Sequence, residues 1–324
     1  MHLVLKVQND TSIEVDGRIS DTITEHRKVC EVENRLIWGQ FSDRFVNGVA
    51  ERNRKRMKNQ IDHAMNTYSF FLANNKGNRE LYVGKMTNIY GLGEMSDKPD
   101  LTKYVPSYYN SHLSNHILFV DVATFFKIDN KYLDNITLES TGDKVLTVKN
   151  SSSIFLVNID EELEKLLFEL LSNPEGNFQY QVEQEVVLDD VTVDDQPKDK
   201  PSKTLGSGLN LYKRNSKISK KAIVSAKYLC EIEPSHKDFI SKITGENYVE
   251  AHHLIPMEYQ DNFIKSIDVE ANIVSLCVGC HKKLHHARFE VIEPLVEKLY
   301  EDRVDRLINC GIGITRKELL EYYK

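Results

Sequence analysis

The chain has 324 residues, 40% of them hydrophobic and 28% charged, with a formal net charge of -7; this is the make-up of a folded protein with one large core or two smaller ones, and it excludes a chain disordered throughout. No run approaches the roughly 18 to 20 apolar residues that a membrane span requires, and the start, MHLVLKVQND, lacks the regions of a signal peptide, so the expected compartment is the cytoplasm. The acidic balance is uneven: from Leu205 to Lys324 there are 18 Lys and Arg against 17 Asp and Glu, leaving 24 against 32 before it, so the net charge does not exclude a phosphate-bearing partner.

In chain order, Leu3 to Val7 reads as a first strand. ENRLIWGQF carries the single tryptophan, Trp38, and the basic run ERNRKRMKNQIDHAM, free of Gly and Pro, predicts a helix. Arg52 to Lys58 on it either follow a phosphate backbone or form a solvated face. TYSFFLAN, ELYVGKMTNIYGLGE and HILFVDVATFFKI are aromatic and β-branched runs between turn residues, which predict short strands of a mostly antiparallel sheet or small barrel. KVLTVKN and SSIFLVNI add a candidate hairpin. DEELEKLLFELLSN, from Asp160 to Asn173, is a helix with acidic residues in its first turn and a break at Pro174.

LDDVTVDDQPKDKPSK has too few large apolar residues to join a core and reads as a linker. The expected organisation is therefore a β-rich domain over 1–175, an acidic linker over 176–204 and a second domain over 205–324. Within the last, YKRNSKISKKAIVSAKYL is basic and turns helical towards its end, FEVIEPLVEKLYEDRVDRLI predicts a long amphipathic helix, and a final helix spans Arg316 to Tyr323 after the break at Gly311 and Gly313. The fold class is α+β.

The chemistry is concentrated between Glu250 and His286, where EAHHLIPMEYQDNFIKSIDVEANIVSLCVGCHKKLHH holds five of the eleven histidines and two of the five cysteines. An odd cysteine count, with Cys230, Cys277 and Cys280 in or beside this cluster, points to a metal site and not to a disulfide framework. Cys277-x-x-Cys280 supplies two corners of a tetrahedral zinc site. Cys230 is the first candidate for a third, and His236 is a better fourth than Glu233, because imidazole suits a closed structural site more than a lone carboxylate does. The bland reading makes Cys230 an ordinary buried cysteine. His281 and His285, four apart, share one face of the helix expected there. His252 and His253 are adjacent, so an extended strand sends them to opposite sides of the pleat. One can ligate a second ion while the other addresses a water.

These residues resemble the HNH nucleases, whose site is a β-hairpin followed by a helix around one divalent ion. The match rests on His252-His253-Leu-Ile-Pro256, Asn272 and Cys277-x-x-Cys280-His281, and covers roughly Cys230 to His286. The resemblance implies a ββα-metal domain with a zinc knuckle and flanking helices, His253 as general base, His252, His281 and His285 as ligands of a catalytic Mg²⁺ or Mn²⁺, and Asn272 tying the hairpin or orienting the base. It also implies a structural Zn²⁺ and cleavage that leaves 5′-phosphate and 3′-hydroxyl ends. Lys282, Lys283 and Arg288 either touch phosphates or are a solvated helix face, and His286 is a neighbour without an assigned role.

Asn34 to Asp129 looks similar to the EVE-like members of the PUA superfamily, small β-barrels that hold a flipped, modified base. That order of domains is similar to modification-dependent restriction endonucleases. It implies double-stranded DNA containing 5-methylcytosine or 5-hydroxymethylcytosine as partner, a homodimer at least on DNA, and a role in defence against foreign DNA. Trp38, Tyr68, Phe70, Tyr82 and Tyr90 are the candidates for an aromatic cage, against the ordinary fate of strand aromatics as core residues. Two readings compete: an HNH nuclease directed by an unrelated first domain, and a non-catalytic zinc protein that binds nucleic acid.

Overall fold

The aromatic and β-branched runs become strands and the Leu-rich periodic runs become helices in the computed structural model, which describes residues 1–41, 48–109, 113–145, 152–187, 192–200, 204–206, 209–212 and 214–324. The chain divides into two units, Met1–Ser172 with Thr204–Ser207, and Asn173–Lys203 with Gly208–Lys324. Among the described residues no helix is long and apolar enough to cross a membrane.

The first unit runs β1 (His2–Gln8), β2 (Ile13–Val15), β3 (Arg18–Ser20), α1 (Thr22–Glu33), β4 (Leu36–Phe41), α2 (Glu51–Asp62), β5 (Tyr68–Asn75), β6 (Asn78–Gly91), β7 (His116–Val122), β8 (Phe126–Ile128), β9 (Ile136–Leu138), β10 (Ile154–Ile159) and α3 (Glu161–Ser172), with β11 (Thr204–Gly206) grouped with it. Seven strands form one path in the order β4-β7-β6-β5-β1-β10-β9, and β8 pairs with β6. β1 and β5 are parallel, and the other pairs of this sheet are antiparallel. The 14-residue β6 bends the sheet: its first half pairs with β5 and β8, its second with β7, with a register shift between Met86 and Asn88. Gly84 sits at that bend because a Cβ there would come within 2.6 Å of the Thr124 carbonyl oxygen. The two ends of the path, β4 and β9, do not pair among the described residues. Among the described residues the sheet is thus a path of seven strands that bends at β6.

Leu3, Leu5, Trp38, Phe71, Tyr82, Ile89 and Val120 form the main core, against which Ile23 and Cys30 of α1 and Met57 of α2 pack. α1 starts at Asp21, whose carboxylate accepts from Thr24 N, and stops at Asn34 in the left-handed region (φ 52°). The basic face of α2 is occupied by acids of its own unit: Arg54 and Lys58 bind Glu94 (2.7 and 3.2 Å), and Arg56 binds Glu139 (2.6 Å). That pairing favours the solvated-face reading of Arg52 to Lys58. The candidate strand KVLTVKN falls largely on 146–150, outside the described residues.

Two buried histidines are expected to make this unit acid-sensitive. His2 Nδ1 accepts from Tyr68 N (3.1 Å), and His26 lies between Thr22 O (2.6 Å) and Tyr109 Oη (2.7 Å). Burial pushes both from 6.5 down to about 3. Between those values the unfolded chain takes up protons that the folded one refuses, so stability present above pH 6.5 is lost as the pH falls, by about 1.4 kcal/mol per pH unit for each group. The unfolding midpoint followed by Trp38 fluorescence is expected to drop between pH 7.5 and 5, and His2→Gln to about halve the slope. A midpoint constant over that range would contradict the assignment.

The second unit contains α4 (Pro174–Gln184), β12 (Leu209–Leu211), α5 (Ser216–Ser225), β13 (Glu250–His253), β14 (Ile273–Leu276), α6 (Val278–His286), α7 (Phe289–Asn309) and α8 (Arg316–Glu321). Pro174 is not the end of helical structure but the first turn of α4, capped by Asn173. The expected linker over 176–204 thus begins inside a helix that packs beside α5, and its described residues 192–200 are tied down within this unit. Asp195 holds Arg306 through two bonds (2.7 and 3.0 Å), Lys198 reaches the buried Glu270 (3.0 Å), and Lys198 O accepts from Ser266 N (2.8 Å). Charge complementarity does there what apolar burial could not.

α5 begins at Asn215, whose side chain accepts from Lys217 N and Ile218 N, and the chain turns at Lys227 and Tyr228, both with φ 53°. Leu254, Ile255, Ile267, Val269, Val274, Leu276, Leu284, Val296 and Leu299 make a second core under the hairpin, α6 and α7. α8 opens with a capping box between Thr315 and Glu318.

Candidate metal centres

β13 and β14 form an antiparallel hairpin in which His252 faces Val274 and His253 faces Ile273 across the ladder, and α6 follows directly. Two clusters of ligand atoms result, each within 4.8 Å: Cys230, His236, Cys277 and Cys280, and separately His252, His281 and His285. The expected ligand groups are thus brought together in two separate sets.

The cysteine cluster is built from three segments. Cys277 is the N-cap of α6, its Sγ accepting from Cys280 N (3.4 Å), and one helical turn brings Cys280 round beside it. Cys230 follows the Lys227-Tyr228 turn, and its neighbour Glu231 is bound to Ser275 of β14 through N–H to Ser275 O (2.8 Å) and by accepting from Ser275 N (2.9 Å). His236 Nδ1 stands 3.5 Å from both Cys277 Sγ and Cys280 Sγ. All three cysteines are buried. Burial raises the Cys277 thiol and pushes the Cys280 thiol up to about 12. Three thiols and an imidazole converging in an apolar setting have few partners for one another, whereas a dication suits this donor set, so the residues fit a metal such as zinc.

In the histidine cluster, Glu250 lies two residues before His252 on the same face of β13, and its Oε2 accepts from His281 Nδ1 at 2.5 Å. Burial pushes Glu250 up, but the His281 bond and charge outweigh it and hold the carboxylate low. With Nδ1 of His281 committed as donor, its Nε2 carries a lone pair and faces His285 Nε2 at 3.1 Å. That separation is close to one edge of a coordination shell with metal–nitrogen bonds of about 2.1 Å. His252 is buried, and burial followed by the neighbouring histidines holds it well below its ordinary range, in the neutral form that ligates. Its Nε2 lies 3.1 Å from the Tyr323 hydroxyl, which donates to Leu254 O (2.8 Å). The donor set fits a divalent ion.

A cleft of about 490 Å³ opens over this cluster, and its walls include Arg214, His252, His253, His281, His285 and Lys324. His253 puts its ring on the other face of the pleat, with Nε2 2.8 Å from Asp268 Oδ1. Asn272 is fully buried and does not line the cleft. Its Nδ2 donates to Ile255 O and Ile267 O (3.0 and 2.9 Å) and its Oδ1 accepts from Ile255 N (2.7 Å), so it ties the loop between the two strands. His286 borders the cleft, and Lys282, Lys283 and Arg288 are exposed. Glu250, Asp268 and Arg214 were not singled out from the sequence. Arg214 lay in a basic run, and in the structure its guanidinium stacks on Phe178 (3.9 Å to the ring centroid) and binds Glu175 (2.7 Å) while bordering the cleft.

The five aromatics proposed as a cage do not converge. Trp38 and Tyr82 are core residues packed on Phe125, Tyr68 and Phe70 surround His2, and Tyr90 lies in a smaller cluster with Phe119 and Tyr109, its hydroxyl 3.3 Å from the buried Asp121. Burial raises the Tyr68 and Tyr90 phenols. Two of the five border cavities, Tyr90 one of about 490 Å³ beside Lys58, Asn88 and Glu94, and Trp38 another. The bend of the sheet brings Lys6 to Gln8 of β1 opposite Trp38 to Phe41 of β4, and with Tyr108, Tyr109 and His116 they line about 280 Å³. Gly39 lets this floor close up, since a Cβ there would meet the His116 ring at 2.5 Å and Tyr109 at 2.9 Å.

No protein-family model and no curated protein matches the sequence. Among solved structures, the chain is similar to human THYN1 in complex with 5-methylcytosine-containing DNA, at 17% identity and a TM-score of 0.26 over 53% of this chain and 98% of that one. It is also similar to the type IV phosphorothioation-dependent restriction endonuclease ScoMcrA, at 12% identity and a TM-score of 0.26 over 93% of this chain; the match spans half the length of that endonuclease.

Proposed function

We propose that this protein is a metal-dependent endonuclease that hydrolyses phosphodiester bonds of double-stranded DNA, and that its first unit selects DNA carrying a modified cytosine, as a restriction enzyme against foreign DNA would. The observation that carries the reading is the convergence of His252, His281 and His285 on a hairpin and helix that a separate Cys₃His cluster clamps. The two clusters suit different tasks. A cysteine-rich site with four protein ligands builds a scaffold, whereas a histidine site at the floor of a cleft leaves room for a phosphate.

In this reading His253 takes the proton of the attacking water and Arg214 and Lys324 attract the backbone. His252, His281 and His285 would hold a divalent ion, which would supply charge stabilisation to the phosphate and the leaving 3′ oxygen. Asn272 acts by holding the loop and not by touching substrate. Structural Zn²⁺ and catalytic Mg²⁺ or Mn²⁺ are the proposed ions, and a homodimer on DNA is the proposed way to cut both strands. Selection is supported by the cavity between β1 and β4, which Trp38, Tyr108, Tyr109 and His116 line together with Lys6 and Gln8, an aromatic and polar lining of the kind an extruded base requires.

The test is incubation with Mg²⁺ or Mn²⁺ of matched duplexes containing cytosine, 5-methylcytosine or 5-hydroxymethylcytosine. Cleavage of a modified duplex in preference to the plain one, with 5′-phosphate ends, is the expected result. Equal cutting of all three removes the selecting role of the first unit. No cutting under either ion leaves a zinc protein that binds nucleic acid.

A further inference from the structure

We infer that Asp268 is a positioning residue for His253, fixing which ring nitrogen carries the proton and hence which one is free to accept it from water. The inference rests on the reading of His253 as the base. His253 Nε2 lies 2.8 Å from Asp268 Oδ1, with side chains only 4% and 6% exposed. The other carboxylate oxygen, Oδ2, is already taken by the Asn215 backbone N–H at 2.7 Å, at the N-cap of α5, and Asp268 N donates to Ser266 Oγ at 3.2 Å. The carboxylate is therefore held from two sides and cannot turn away. An ionised carboxylate only accepts, so the ring facing it must present Nε2–H. Nδ1 is left with the lone pair, and His253 borders the cleft over the histidine cluster. The ring edge of the base is thus set by a residue 15 positions along the chain, in the loop that Asn272 ties down.

Asp268→Asn makes the inference sharp. The Asn215 N–H is a backbone donor that cannot become an acceptor, so the single amide oxygen must turn to it, and the amide nitrogen then faces His253. The ring is forced into the opposite tautomer, with the proton on Nδ1 and the lone pair aimed at the amide.

The experiment pairs spectroscopy with kinetics on the full chain. Nitrogen-15 NMR of histidine-labelled protein without added catalytic ion is expected to show the Nε2–H tautomer for His253 in the wild type and the Nδ1–H tautomer in Asp268→Asn. Cleavage by Asp268→Asn is expected to fall in kcat by about 10²-fold or more, the scale of general-base catalysis, with KM unchanged and with no further loss when Asp268→Asn is added to His253→Ala. A wild-type ring that is Nδ1–H or doubly protonated at neutral pH overturns the inference, as does an Asp268→Asn protein with full kcat or one whose loss is simply added to that of His253→Ala. Should the chain cut no DNA, the nuclease reading fails but the NMR result still decides whether Asp268 sets the ring. Should Asp268→Asn not fold, a wild-type ring that is Nδ1–H or doubly protonated still overturns the inference.

Discussion

Replacing Cys277 with serine is expected to release the ion of the cysteine cluster and to unfold the second unit. Cys277 serves two functions there: its sulfur is one of four converging ligand atoms, and it is the N-cap that starts α6. The hairpin is only four residues on each side, and an isolated two-stranded hairpin is marginal in water. Its attachment to α6 and to the Cys230 segment is what the ion would secure. Structural zinc contributes on the order of 10 kcal/mol or more to such sites, which is comparable to the whole stability of a domain, about 5–15 kcal/mol. Cys310 is the control: it is equally buried at the end of α7 but outside the cluster, and Cys310→Ala should cost only about 1 kcal/mol. Metal content and thermal unfolding of the two variants separate the cases. A Cys277→Ser protein that keeps both its ion and its unfolding midpoint would show that the cluster is not a structural site.

His281→Ala is expected to leave the protein folded and reduce DNA cleavage by about 10³-fold or more, because it removes a ligand from an ion that supplies charge stabilisation and not from one that holds the fold together. The alanine also strands Glu250, whose carboxylate is half-buried and held low by that histidine. Glu250→Gln is the companion. The amide still accepts from His281 Nδ1 while losing its charge, so a smaller loss than that of His281→Ala identifies Glu250 as a residue that orients the ligand. Circular dichroism checks the fold in each. Cleavage by His281→Ala at the wild-type rate would rule out the histidine cluster as the working site.

The metal segment was legible from the sequence because its chemistry follows chain spacing. Cys277-x-x-Cys280 and His281-x-x-x-His285 are defined by one turn of a helix, and the hairpin needs only the alternation of a strand. α3 and α7 were likewise legible from their period. What escaped was everything set by tertiary approach. Asp268 and Glu250 are carboxylates among many in the chain, and nothing local says that a loop carries one of them to His253. Of the proposed cage only Trp38 lies on this cavity: strand aromatics at Tyr68, Phe70 and Tyr82 are spaced like any buried strand, and the cavity between β1 and β4 adds Tyr108 and Tyr109 from a turn-rich stretch and His116 from the start of β7. The acidic stretch read as a linker because it lacks apolar residues, yet Asp195 and Lys198 meet Arg306 and Glu270, which lie far along the chain. The basic run of α2 leaves phosphate binding and a solvated face equally open in the sequence, because Glu94 and Glu139, which pair with Arg54, Lys58 and Arg56, lie far along the chain.

The division into a scaffold ion and a working ion is tested most directly by counting. Equilibrium dialysis of the wild-type chain against Zn²⁺, followed by elemental analysis, should give two ions per chain, and His281→Ala should give one while remaining folded. A wild-type chain that saturates at one ion, or a His281→Ala protein that loses both, would mean that the seven ligand residues do not make two independent sites.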